Sequence, residues 1–169
     1  MSNNLSFETN LTQLFNLGQL VVDKKAKVRD RIALIICLQK VIHHINKVLV
    51  KTEDINSSVN EFTTMREIII SELGQKCNTE NWQHYLIRAV LRIKNGNKKK
   101  SQIRVNNWLT VLDYLKNQKI KIKDTEAFFE ENGNLKGVFQ LAENELSRKG
   151  RILNKIYFFK KNCLILSVK

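Results

Sequence analysis

Residues 124–148, DTEAFFEENGNLKGVFQLAENELSR, decide how this chain folds. Asp124 suits a helix N-cap, since its carboxylate can accept a free backbone N–H and its charge complements the positive end of the helix. A short helix is expected from there through Asn132, and Gly133 stops it. A second helix starts at Asn134 or Leu135 and runs to about Arg148. Leu135, Val138, Phe139, Ala142 and Leu146 recur along it at three- and four-residue steps and form its inner face. Asn132-Gly133-Asn134 is then a short turn between two helices, the spacing of a helix-turn-helix unit.

Working outward, Lys119–Lys123 (KIKIK) alternates basic and apolar residues, as a short strand or an extended linker would. Before it, a helix from about Gln102 to Asn117 buries Val105, Trp108, Leu109, Leu112 and Leu115. Beyond it, residues 152–168 leave the helical period. Ile156-Tyr157-Phe158-Phe159 and Cys163-Leu164-Ile165-Leu166 flank Lys160-Lys161-Asn162, which reads as a β-hairpin. Three helices followed by a hairpin is the element order of a winged helix.

The rest of the chain reads as helices. Ser6 caps a short one through Leu17, and a long one covers about Lys24 to Lys51. The long helix carries an apolar face (Leu34, Ile35, Leu38, Val41, Ile42, Ile45) wide enough for two neighbours. A third runs from about Val59 to Lys76, with Gly74 and Asn78 marking its end, and a fourth covers about Glu80 to Lys94. His84, Arg88 and Arg92 fall four residues apart on that fourth helix, away from its apolar side. The expected fold is therefore mainly α: a helical bundle with a C-terminal helix-turn-helix-like unit ending in a β-hairpin. Residues 1–76 form a packing or dimerisation region, and residues 79–169 a basic region that binds nucleic acid.

The composition narrows the function. At 169 residues and 43% hydrophobic, the chain fits one domain or two small ones and is not disordered throughout. No stretch approaches the ~18–20 uninterrupted apolar residues of a membrane helix, so no membrane partner is expected. MSNNLSFETN lacks the layout of a secretory signal, and three scattered cysteines argue for a reducing, cytoplasmic setting. The formal net charge is +13. Residues 1–83 carry net +1, 84–123 net +10, 124–147 net −5 and 148–169 net +7. A coding bias toward lysine would spread it evenly; two blocks hold the excess instead, as a polyanion-binding face does.

The candidate nucleic-acid-binding residues follow from those blocks. The first supplies Arg88, Arg92, Lys94, Lys98, Lys99, Lys100 and Arg104, then Lys119, Lys121 and Lys123. The second supplies Arg148, Lys149, Arg151, Lys160 and Lys161. Asn106 and Asn107 could add neutral hydrogen bonds. Along the helix after Gly133 only Lys136 is cationic before Arg148, while Glu143 and Glu145 are acidic, so phosphate contacts must come mostly from elsewhere.

Catalytic signals are weak. His43 and His44 are adjacent, about 100° apart on a helix, and do not make a metal pair. There is no HExxH, CxxC, GxxxxGK[ST] or GxGxxG, and Cys37, Cys77 and Cys163 lie among apolar neighbours. Asp124 and Glu126 belong to a helix start, and Glu130-Glu131 to a solvated face. Trp82 and Trp108 lie in line with apolar faces, so core packing is expected; base stacking would need them exposed beside the lysines. Tyr157, Phe158 and Phe159, within the basic hairpin, are the better stacking candidates, yet four consecutive apolar residues must bury at least one face, so packing is expected there too. The expectation is a non-enzymatic DNA-binding protein with no metal and no cofactor, forming a homodimer through residues 24–51. The alternatives are an RNA-binding subunit, or an effector or inhibitor docking an acidic protein.

Overall fold

The computed structural model describes residues 6–50, 55–94 and 98–166, with side chains placed for 6–49, 61–94 and 98–150. Among the described residues seven α-helices follow one another: α1 (Phe7–Val22), α2 (Val28–Val50), α3 (Ile55–Leu73), α4 (Trp82–Val90), α5 (Lys99–Asn117), α6 (Thr125–Glu131) and α7 (Asn134–Leu166). A 3-10 turn, Ile122–Asp124, leads into α6.

Local chemistry sets the boundaries. The Ser6 hydroxyl accepts from the Thr9 N–H and caps α1. Asp30 accepts from the Lys27 N–H and closes the start of α2. Gly74, at φ +66°, ends α3 in the left-handed conformation glycine adopts without a Cβ penalty. Three other helix ends use a cation in that conformation: Lys24 after α1, Arg92 after α4 and Lys119 after α5, at φ +58°, +51° and +57°. A positive charge complements the negative C-terminal end of each helix, which offsets part of the backbone cost.

α2 is the helix around which the others gather, packing against α1, α3, α5, α6 and α7. Its length and mean hydropathy of 1.4 over Val28–Leu49 would let it cross a membrane, and no other described helix passes that test. In the bundle its apolar face is covered from within: Ile32, Leu34, Ile35, Leu38, Val41 and Ile45 are buried. The face that motivates dimerisation through residues 24–51 is thus already occupied by other parts of the chain. The boundary expected at 76–79 falls between α3 and α4, and one core crosses it, joining Leu14 and Met65 to Leu86, Leu115, Phe129 and Val138. α4 lies against both α1 and α3, and a Cβ on Gly18 would overlap Val90, so the α1–α4 approach depends on that glycine.

The C-terminal unit keeps its helices and loses its hairpin. α7 is continuous from Asn134 to Leu166, which overturns both the β-hairpin at 152–168 and the winged-helix ending; residues 167–169 lie outside the described residues. The reason is visible in the spacing. Ile152, Ile156, Phe159, Cys163 and Leu166 recur at steps of four and three, a helical period masked by the adjacent apolar residues between them. No strand occurs among the described residues, so the KIKIK segment is a connector into the 3-10 turn.

α6 is held on α2 by Thr125, fully buried, whose hydroxyl donates to Gln39 Oε1 at 2.9 Å and lies 3.2 Å from the Lys121 carbonyl. Phe129 is also fully buried. The turn into α7 is tight: Gly133 sits at φ +79° and Asn134 at +61°, and a Cβ on Gly137 would overlap the Asn132 carbonyl. Only glycine lets the first turn of α7 close over that carbonyl.

Candidate functional site

A groove of about 670 Å³ opens where the α1–α2 turn, the middle of α5 and the first turn of α7 converge. Four cations line it: Lys24, Arg31, Arg104 and Lys136. No Asp or Glu does. Its floor is apolar and partly aromatic, with Val21, Val28, Val111, Leu135, Trp108 and Phe139, and two side-chain amides, Asn107 and Asn134, complete the lining.

Each wall has a local cause. Arg104, Asn107, Trp108 and Val111 stand at i, i+3, i+4 and i+7, so one face of α5 supplies them all. Lys100, exposed one turn before Arg104, continues that face. The left-handed backbone of Lys24 ends α1 and turns the chain toward α2, bringing Lys24 and Arg31 to the rim. The first turn of α7 carries no acid, so its free N–H groups add positive potential beside Lys136. Farther along α7, the acids Glu143 and Glu145 interrupt the positive potential before the basic residues from Arg148 on. Glu145 accepts from Gln118 at 2.8 Å and pairs with Lys149 at 2.6 Å, and these contacts hold its carboxyl below the usual range.

The sequence-derived residues fare unevenly. Arg104 lies in the groove, and Lys98, Lys99 and Lys100 are exposed at the start of α5. Three lysines with no acid in that first turn oppose the helix dipole, an arrangement that local stability does not favour. Arg92 and Lys94 are exposed beyond α4, Arg92 at 3.9 Å from Glu72. Lys119, Lys121 and Lys123 are exposed at the other end of α5, roughly 28 Å away for 19 residues at ~1.5 Å each. Arg148 is exposed, while Lys149 is engaged by Glu145. Arg151, Lys160 and Lys161 lie on the helical backbone of α7, and their side chains fall outside the described residues.

Arg88 must be withdrawn from the interface. It is 4% exposed, its ring neighbour Tyr85 lies 5.1 Å from the guanidinium carbon, and each of its three nitrogens donates inward. Nε donates to the Ile93 carbonyl at 3.2 Å, Nη1 to Gln75 at 2.9 Å and Nη2 to the Lys94 carbonyl at 2.7 Å. The outward stripe fails because α4 ends at Val90: the chain folds back over Arg88, and Arg92 belongs to the turn. His84, half-buried beside Arg88, has its pKa lowered by burial and by that charge.

Trp82 is 3% exposed and packs edge-on against Phe62, as its apolar position implies. Trp108 packs against the core as its spacing implies, but it is only half-buried and also lines the groove with Arg104. Sequence reasoning missed Lys24 and Arg31, although KKAKVRDR at 24–31 holds five cations and one acid. Averaging residues 1–83 to net +1 hid that cluster. The thiols of Cys37 and Cys77 are buried, and burial pushes both pKa values up. Among the described residues no group of three His, Cys, Asp or Glu is placed to hold a metal ion.

Compared with protein-family models, with curated proteins and with solved structures, the chain matches none.

Proposed function

We propose that this chain is a non-enzymatic DNA-binding protein that holds phosphates at the basic rim of the α5–α7 groove. One observation carries the reading: four cations from three separate segments meet around one opening, and no carboxylate among the described residues shares it. Charges of one sign repel, so collecting them without acids costs stability unless an anion occupies the site. Lys98–Lys100 extend the positive strip past Arg104, and backbone contacts of this kind bind by counterion release whatever the sequence. In this reading α5, α6 and α7 act in the manner of a helix-turn-helix, and the first turn of α7, ahead of Glu143 and Glu145, is the part that meets DNA.

Fluorescence anisotropy on a labelled duplex from ~50 to ~300 mM salt tests the proposal. Each phosphate contact adds about 0.9 to the log–log salt slope, so Arg31→Ala/Arg104→Ala/Lys136→Ala should flatten it by roughly 2–3. An unchanged slope in that variant rejects the groove as the phosphate site. Tighter binding to duplex RNA at matched salt would make the ligand RNA, and absence of binding near ~100 mM would leave an acidic protein as the partner.

A further inference from the structure

The rim of the groove answers to phosphate, but its floor does not. Trp108 and Phe139, both half-buried, lie on it beside Val28, which is 52% exposed. Phosphate alone would leave this apolar surface wet. A ligand that uses the whole opening has an anionic group and a flat apolar body joined within one residue's length. Its edges also carry hydrogen-bonding groups, to match Asn107 and Asn134, the two exposed amides on the lining. An acyl chain fails that last condition, and a base-paired duplex fails on size, because about 670 Å³ is the scale of a small-molecule pocket.

We infer that the groove accepts one unpaired nucleotide, its base on Trp108 and its phosphate on the Arg31, Arg104, Lys24 and Lys136 rim. This rests on the DNA-binding reading and goes beyond it, for it makes the protein a reader of unpaired positions, in single strands, bulges or gaps. Aromatic stacking supplies affinity for any base, since every base has a π-face, and the two amides meet whichever edge is presented. The same chemistry fits a free mononucleotide, and the experiment separates the two sources.

The test uses the full chain with four probes: a single-stranded oligonucleotide, its blunt duplex, the duplex with one bulged nucleotide, and thymidine 5′-monophosphate. Anisotropy gives affinity for the strands, and tryptophan quenching reports the groove, with Trp82 as the buried background. The expected result is about tenfold tighter binding to single-stranded and bulged DNA than to blunt duplex, with Trp108 quenched. Trp108→Ala should abolish that preference while leaving the duplex salt slope unchanged, and Trp108→Phe should restore most of it. Equal binding of all three DNAs, untouched by Trp108→Ala, overturns the inference while the phosphate-binding reading stands. Quenching by the mononucleotide with no oligonucleotide binding assigns the groove to a free nucleotide and defeats the DNA-binding reading instead. No response to any probe overturns both.

Discussion

Replacing Arg88 separates a structural cation from a binding one. In Arg88→Ala the Ile93 and Lys94 carbonyls and the Gln75 amide lose their donor together. A hydrogen bond to a charged group is worth about 1.5–3 kcal/mol, and an acceptor left buried and unpaired costs about 1–3 kcal/mol. Removing the guanidinium also relieves its own desolvation, which no carboxylate compensates among the described residues, so the sum is well below three full bonds. A net loss of about 3 kcal/mol is expected. At about 2–4 °C per kcal/mol for a chain of this size, the melting temperature should fall by roughly 6–12 °C. Urea denaturation followed by circular dichroism gives the free energy directly, and thermal melts give the second measure. Arg88→Lys should recover about one bond's worth, because a single ammonium cannot reach three acceptors in three directions. Stability within ~0.5 kcal/mol of the parent, combined with weakened DNA binding, would show that the side chain faces solvent and refute the reasoning.

The α6–α7 turn supplies a second prediction: Gly137→Ala, which would help most helices by ~0.5–1 kcal/mol, should destabilise this one by ~2 kcal/mol or more in urea melts. Lys24→Gly should do the reverse to stability and harm to binding. It relieves a left-handed backbone by about 1 kcal/mol while removing a groove cation, so the variant melts higher and binds DNA with a salt slope smaller by about 0.9. His84 has a folded pKa below its unfolded value near 6.5, so the unfolded chain binds more protons in that interval. Its stabilising contribution is complete above pH ~6.5 and is lost as pH falls toward the folded value. Denaturant midpoints at pH 7.5, 6.5 and 5.5 should therefore drop more for the parent than for His84→Gln.

Much of the fold is legible in the sequence because most helices here carry their own punctuation. Ser6, Gly74 and Gly133 mark ends that the backbone honours, and the period-3.6 faces of α2, α5 and α7 name most of the residues those helices bury, although Leu146, placed inward by the same period, is 60% exposed. What misleads is contiguity. Four adjacent apolar residues at 156–159 look like a strand, yet the four-and-three spacing of Ile152, Ile156, Phe159 and Cys163 fits the helix that forms. Arg88 shows the converse limit, since a periodic stripe predicts exposure only while the helix lasts, and α4 stops two residues later.

The groove was half legible. Arg104 and Asn107 stand in the basic block, but their partners come from the α1–α2 turn, some eighty residues away in a region of nearly balanced charge. Trp108 is placed by its spacing among core residues, and nothing local says that the helices opposite it diverge. A gap between elements is a property of packing, and no single segment encodes it.

The central claim is a location, and crosslinking reads location directly. A DNA carrying 5-iodouracil is irradiated in complex with the full chain, and the attached peptides are mapped by mass spectrometry. Adducts at Trp108 and Phe139, within 104–111 and 134–139, are the predicted result. Adducts confined to 119–123 or 148–161, with the groove peptides clean, would contradict it.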